Sequence, residues 1–159
     1  MTTLRKAAEE FLAQKRIAVA GVSRDTKQPA NLIYRRLRDT GHEVFAVNPR
    51  AAEVEGDRCY ATVTDIPGGV DGVVVVTPQA AVPTVVADCA EAGVPRVWLH
   101  RGVGPGSSSD EGVRMCRERG IAVIPGGCPN MFAATSDGGH RMMCRVLQAT
   151  GKIPRRIDG

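Results

Sequence analysis

Ile17-Ala18-Val19-Ala20-Gly21-Val22-Ser23-Arg24 decides how the rest of the chain is read. Ile17 to Ala20 is a short apolar run that stops at Gly21, and a polar segment follows before Pro29. Beyond Pro29, Ile33 and Leu37 stand four apart, the spacing of one helical face. The pattern is strand, tight turn, helix. A glycine in that turn lets the backbone approach a ligand closely, because no Cβ intervenes. The helix behind it aims free N–H groups and the positive end of its dipole at the turn, so an anion, most often a phosphate, is the natural guest.

Working outward, the same alternation recurs. Leu4, Ala8, Phe11 and Leu12 share a helical face before the first strand, with Thr3 placed to cap it. The helix over 30–40 ends at Gly41, and Glu43 to Val47 forms a second strand closed by Asn48-Pro49-Arg50. Residues 52–57 read as a turn around Gly56, and Cys59-Tyr60 as the start of an irregular segment. Gly72 to Thr77, with four consecutive valines, is a strand buried on both faces, as parallel sheets require. A helix over 80–92, a strand from Arg96 to His100, a helix capped near Ser107 to Asp110, and a strand from Ile121 to Ile124 follow. The last helix, about 136–149, is expected to turn Met142, Met143, Val146 and Leu147 inward. The predicted fold is α/β, a single-domain three-layer Rossmann-like sandwich over 1–159. It has a five-stranded parallel sheet of order 3-2-1-4-5, an extra N-terminal helix, a core over about 12–130 and a C-terminal segment over 131–150.

Composition bounds the function. With 159 residues, 43% of them hydrophobic and 24% charged, the chain is long enough for one sizeable core. No apolar run approaches the roughly 20 residues that span a bilayer, and the first ten residues do not resemble a signal peptide. Cytoplasm is the expected compartment, with five reduced cysteines and neither a C-x-x-C pair nor metal-ligand spacing. The net charge of +4 suits an acidic small molecule, whereas 4% aromatic residues argue against a nucleic-acid platform. The Lys152-Arg155-Arg156 cluster reads as a solvated tail, and the oligomeric state is left as monomer or homodimer.

In parallel α/β sheets, ligands bind at the carboxyl ends of the strands, where the strand order reverses. That edge collects Gly21-Val22-Ser23-Arg24, Asn48-Pro49-Arg50, Thr77-Pro78, His100-Arg101-Gly102 and Gly126-Gly127-Cys128-Pro129. A dinucleotide fingerprint would carry G-x-G-x-x-G after the first strand and an acid after the second. Here only Gly21 is present, and Arg50 stands where the acid would be. A guanidinium attracts a ribose phosphate, so the ligand is expected to be coenzyme A or NADP rather than NAD.

At this point the chain resembles the stand-alone CoA-binding proteins, which are similar to the N-terminal CoA-binding domain of the succinyl-CoA synthetase alpha subunit. The resemblance rests on Ile17 to Ser23, Val47-Asn48-Pro49-Arg50, Cys59-Tyr60 with Asp65-Ile66-Pro67, Val76-Thr77-Pro78, Val97-Trp98-Leu99 and Gly127-Cys128-Pro129. It implies that Gly21, Val22, Ser23 and Arg24 cradle the pyrophosphate. It further implies that Asn48, Pro49 and Arg50 meet the adenosine end, with Arg50 at the 3′-phosphate, and that Thr77 and Pro78 pack on the adenine side. Leu99, His100 and Arg101 would hold the cofactor further along, and Gly127, Cys128 and Pro129 would lie by the pantetheine arm. The synthetase domain has an acid where this chain has Arg101, and its phosphohistidine belongs to a second domain, so ligase chemistry is not carried over.

Bland readings stand beside these. Ser23 could bond its own loop, and Arg50 could be a solvated surface arginine. Cys128 could be a nucleophile if a cation lowered its pKa, with His100 or His140 as base, or a small apolar filler; it could also form a mixed disulfide with CoA. His100 satisfies a turn more readily than it binds a metal, and His42 is expected to be exposed. The expected function is non-covalent binding of coenzyme A or an acyl-CoA without catalysis. The alternatives are an NADP-dependent oxidoreductase and a thiol or acyl-transfer enzyme using Cys128.

Overall fold

The computed structural model describes residues 2–132 and 138–158. Helix α1 (Leu4–Leu12) begins at Thr3, whose Oγ1 accepts the Lys6 N–H at 3.2 Å, as the capping expectation requires. Strand β2 (Arg16–Ala20) then leads through the Gly21 turn into α2 (Pro29–Asp39) and β3 (Glu43–Val47). Ahead of these, β1 (Thr2–Thr3) pairs antiparallel with β9 (Arg156–Ile157) near the other end of the chain.

The segment after Asn48, read as a turn and irregular chain, is instead a hairpin of β4 (Glu53–Val54) and β5 (Asp57–Tyr60). Then come β6 (Gly72–Val75), α3 (Val82–Glu91), β7 (Arg96–Leu99), α4 (Asp110–Glu118), β8 (Ala122–Pro125) and α5 (Gly138–Ala149). Part of the expected last helix, residues 133–137, lies outside the described residues. No helix of the described residues is long and apolar enough to cross a membrane.

The sheet has seven strands in the order β4-β5-β3-β2-β6-β7-β8, all parallel except the β4–β5 pair. This corrects the expected five strands and their 3-2-1-4-5 order. The valine strand β6 pairs with β2, not beyond β3, through Ile17–Gly72 to Ala20–Val75. The place beside β3 is taken by β5, a strand of only four residues whose Cys59 and Tyr60 pair with Ala46 and Val47. A segment that short, with charged Asp57 and Arg58 at its start, has no apolar run to reveal it. The consequence for the site is direct: the order reverses between β2 and β6, which places the crevice between their carboxyl ends.

Alternate strand residues feed two cores, as the period of two demands. Ile17, Val19, Ala46, Val74, Trp98 and Ile124 pack with α1, α2 and α5 on one face. Ala18, Ala20, Val47, Val75, Val97 and Leu99 pack with α3 and α4 on the other. On α5 the inward stripe is Cys144 and Leu147, with Met143 partly covered. Met142 and Val146 face outward, 68% and 54% exposed, contrary to expectation. They lie on the helix flank away from the Cys144–Leu147 stripe, so an apolar pattern wider than the buried face left two residues without a partner surface. His42 is half-buried rather than exposed, with Nε2 2.7 Å from the Leu12 carbonyl and Nδ1 3.0 Å from Thr40 Oγ1.

Candidate functional site at the carboxyl edge of the sheet

Gly21 has φ +104°, and a Cβ there would collide with the Val76 carbonyl oxygen. The glycine is therefore required first by the close passage of β2 and β6 at the switch point. The loop after it is internally bonded. Gly21 N–H donates to the Val47 carbonyl at 2.9 Å, and Ser23 N–H donates to Asn31 Oδ1 at 2.9 Å. Ser23 Oγ accepts the Asp25 N–H at 3.0 Å, which is the local loop role weighed against phosphate contact. The Val22 side chain is fully buried in the core, while Arg24 is exposed.

Asn31, itself fully buried on α2, reaches back to this loop twice, since its Nδ2 also donates to the Ser23 carbonyl at 2.7 Å. The same amide donates to Glu55 Oε1 at 2.8 Å, and Glu55 pairs with Arg35 at 2.6 Å. Glu55 has φ +53°, the one non-glycine residue in the left-handed region among those described. The β4–β5 hairpin thus braces the first loop through a buried side chain.

Asn48 joins the first and second loops. Its Nδ2 donates to the Val22 carbonyl at 2.9 Å, and its Oδ1 accepts the Arg50 N–H at 2.9 Å. Gly21 and Arg50 accordingly lie on one edge of the molecule, and Pro49 and Arg50 are exposed there. At the end of β6, Ser107 clasps Thr77: its Oγ accepts the Thr77 N–H at 2.8 Å and donates to the Thr77 carbonyl at 2.6 Å. Thr77 Oγ1 is buried without a partner.

The end of β8 is pinned just as firmly. Gly126 N–H donates to the Leu99 carbonyl, Arg101 N–H to the Gly127 carbonyl, and Trp98 Nε1 to the Gly126 carbonyl at 2.9 Å. Trp98 is itself held edge-on by Phe11 at 5.4 Å between ring centroids. Cys128 then leads into a single turn, Pro129–Met131.

Between these ends lies a cavity of about 550 Å³, within the range of small-molecule sites. Thr77, Pro78, His100 and Cys128 line it, as the sequence reading grouped them. It is also walled by Gln28, Pro29 and Leu32 from the start of α2, and by the Gly102-to-Ser107 loop. Asn130, together with His140 and Met143 of α5, completes the lining. The glycine-rich run Gly102-Val103-Gly104-Pro105-Gly106 is a loop signal that could have been used; nothing in the sequence marks Asn130. Gly21, Val22, Ser23, Arg24, Asn48, Pro49 and Arg50 do not line this cavity. Leu99 is fully buried under α4, where Gly112 makes room for it. Gly127 and Pro129 are buried backbone positions beside Cys128. Arg101 faces a second cleft with Ser108, Asp110 and Lys152, and its Nε has no partner.

The electrostatics are set by burial. His100 is 9% exposed, and burial lowers its pKa to about 4, so the ring is neutral at pH 7. Burial pushes the Cys128 thiol up to about 11, against weaker opposition from the Asn130 backbone N–H and the Arg36 charge. At neutral pH it is a thiol, not a thiolate.

Residues 15–133, which include every strand from β2 to β8, match the family model described as a CoA binding domain. The alpha subunit of an ADP-forming acetate–CoA ligase II from Pyrococcus furiosus is 35% identical over 109 residues, which are 68% of this chain and 24% of that subunit. The chain therefore spans about a quarter of the length of that relative. YneT of Bacillus subtilis is 29% identical over 110 residues, covering 69% of this chain and 78% of YneT. A solved structure, a hypothetical protein from Pyrococcus horikoshii OT3, aligns with a TM-score of 0.73 at 25% identity, covering 88% of this chain and 92% of the other. Residues 15–133 carry the family match across the whole parallel sheet, so this chain belongs to the CoA-binding domain family.

Proposed function

We propose that this protein holds coenzyme A or an acyl-CoA non-covalently along the carboxyl edge of its sheet and does not itself turn the ligand over. The observation that carries this reading is the cavity of about 550 Å³ at the carboxyl ends of β6, β7 and β8 and the start of α2, in a chain whose residues 15–133 match a CoA-binding domain. In this reading the diphosphate sits on the Gly21-Val22-Ser23-Arg24 turn, where Arg24 is exposed and α2 begins behind it. The adenosine end lies towards Asn48-Pro49-Arg50, with the Arg50 guanidinium available to the 3′-phosphate, and Thr77-Pro78 forms the shelf beside it. The pantetheine arm enters the cavity past His100 towards Cys128. The Leu99, Arg101, Gly127 and Pro129 positions shape that path through their backbone rather than through open side-chain surface. A lowered pKa that makes His100 a weak proton acceptor and a raised one that keeps Cys128 a thiol at pH 7 support holding over chemistry.

Isothermal titration with CoA, dephospho-CoA and NADPH tests the reading. CoA is expected to bind, dephospho-CoA to bind about tenfold more weakly for want of one charge-assisted contact, and NADPH to give no heat. Equal affinity for CoA and dephospho-CoA would remove the role given to Arg50. Absence of binding by either would defeat the proposal.

A further inference from the structure

Two buried polar atoms without hydrogen-bond partners belong to side chains that line the same cavity: Asn130 Oδ1 and Thr77 Oγ1. Asn130 is only 4% exposed, on a turn locked by backbone bonds from Met131 N to the Cys128 carbonyl and from Phe132 N to the Pro129 carbonyl. Native proteins rarely bury such an acceptor unpaired, because the group loses its water without gaining a donor. Asn130 lines the cavity beside Cys128, and its backbone N–H bonds the Cys128 sulfur. The rest of the wall is largely apolar, from Leu32, Val76, Val103 and Met143. An apolar channel with a few fixed polar points suits a flexible chain that carries isolated amides.

We infer that Asn130 is the recognition residue for the arm of the ligand, its Oδ1 accepting an amide N–H of pantetheine. The assignment rests on the proposed binding of CoA, but it concerns the arm and not the nucleotide. It carries an unusual signature. A residue kept for the fold destabilises the protein when replaced. A residue kept for a ligand, and left unpaired without it, does not: an apolar side chain of similar size removes an unsatisfied acceptor.

The test uses the whole protein, with titrations of CoA and of adenosine 3′,5′-bisphosphate, which lacks the arm, alongside thermal melts without ligand. Asn130→Leu is expected to melt at or above the wild-type temperature, to bind CoA about tenfold more weakly, and to bind the bisphosphate unchanged. Two CoA analogues, each with one arm amide N–H replaced by an ester oxygen, repeat the test on unaltered protein, and at least one should bind about tenfold more weakly. Wild-type affinity for CoA in Asn130→Leu, an equal loss for both ligands, a lowered melting temperature, or full-strength binding of both analogues would each overturn the assignment while leaving CoA binding itself intact. No binding of CoA by the wild type would overturn the proposed function, and this assignment with it.

Discussion

His100 sits at the last turn of β7 with both backbone groups committed: its N–H donates to the Val75 carbonyl at 3.0 Å, and its carbonyl accepts the Ser107 N–H at 2.7 Å. The residue is 9% exposed among those lining the cavity, so its protonation is coupled to folding. Burial lowers its pKa from 6.5 to about 4. Between those two values the unfolded chain binds a proton that the folded chain refuses, and stability therefore rises with pH across the window and falls as acid is added. The loss is fully developed below about pH 4 and amounts to at most about 3 kcal/mol. Urea unfolding at pH 7 and pH 4.5 checks this. Wild type should lose more stability on acidification than His100→Gln, and parallel losses would show that other groups account for the slope.

At the scale of elements, the ends of β2 and β3 form one unit braced by two asparagines. Asn31 bonds both backbone groups of Ser23 and the Glu55 carboxylate, while Asn48 ties Val22 to the Arg50 N–H. Asn31→Ala leaves the Ser23 N–H and the half-buried Arg35–Glu55 pair without their shared partner. We expect a loss of about 2–3 kcal/mol in urea unfolding together with several-fold weaker CoA binding, because the loop no longer holds its shape. Unfolding midpoints and titration on one preparation would decide it; stability lost with CoA affinity unchanged would mean the loop is not part of the binding surface. This unit also marks where the sequence was legible. Apolar runs such as Ile17–Ala20 and Val73–Val76 gave their strands clearly, because burial on both faces leaves no alternative pattern. Gly21, Thr77, His100 and Cys128 stood out as strand-end residues for the same reason. The β4–β5 hairpin escaped because its pairing partner, not its own composition, makes it a strand, and the sheet order went astray with it. That Ser23 turns its hydroxyl onto Asp25, and that Asn31 claims its amide, depends on residues brought back by α2, which no local pattern encodes. Asn130 was invisible for a similar reason: its meaning lies in having no partner, a property of the packed structure alone.

Over the whole molecule, the two ends of the described chain close on each other behind the site. Thr2 and Thr3 pair with Ile157 and Arg156, and Leu4 N–H donates to the Arg155 carbonyl at 3.0 Å. Ile153 and Ile157 are buried with Leu4 in the core that also contains Cys128 and Met131. Ile153 further packs on the Gly126-Gly127 turn: a Cβ on Gly126 would lie 3.3 Å from its Cγ2, so the turn and the isoleucine fit closely. That turn presents Cys128 and Asn130 to the cavity, which links the far C-terminal segment to the arm of the ligand. Removing residues 152–159 exposes the surface that two isoleucines cover, at about 1.5–3 kcal/mol for each side chain. At about 2–4 °C per kcal/mol for a chain of this size, the melting temperature should fall by roughly 10 °C. Because the Gly126-Gly127 turn loses its backing, CoA affinity should fall as well, whereas adenosine 3′,5′-bisphosphate, which reaches only the β2, β3 and β6 ends, should bind as before. Melting and titration of the shortened protein check both halves. A lowered melting temperature with CoA binding at full strength would confine the terminal clamp to stability and sever it from the site.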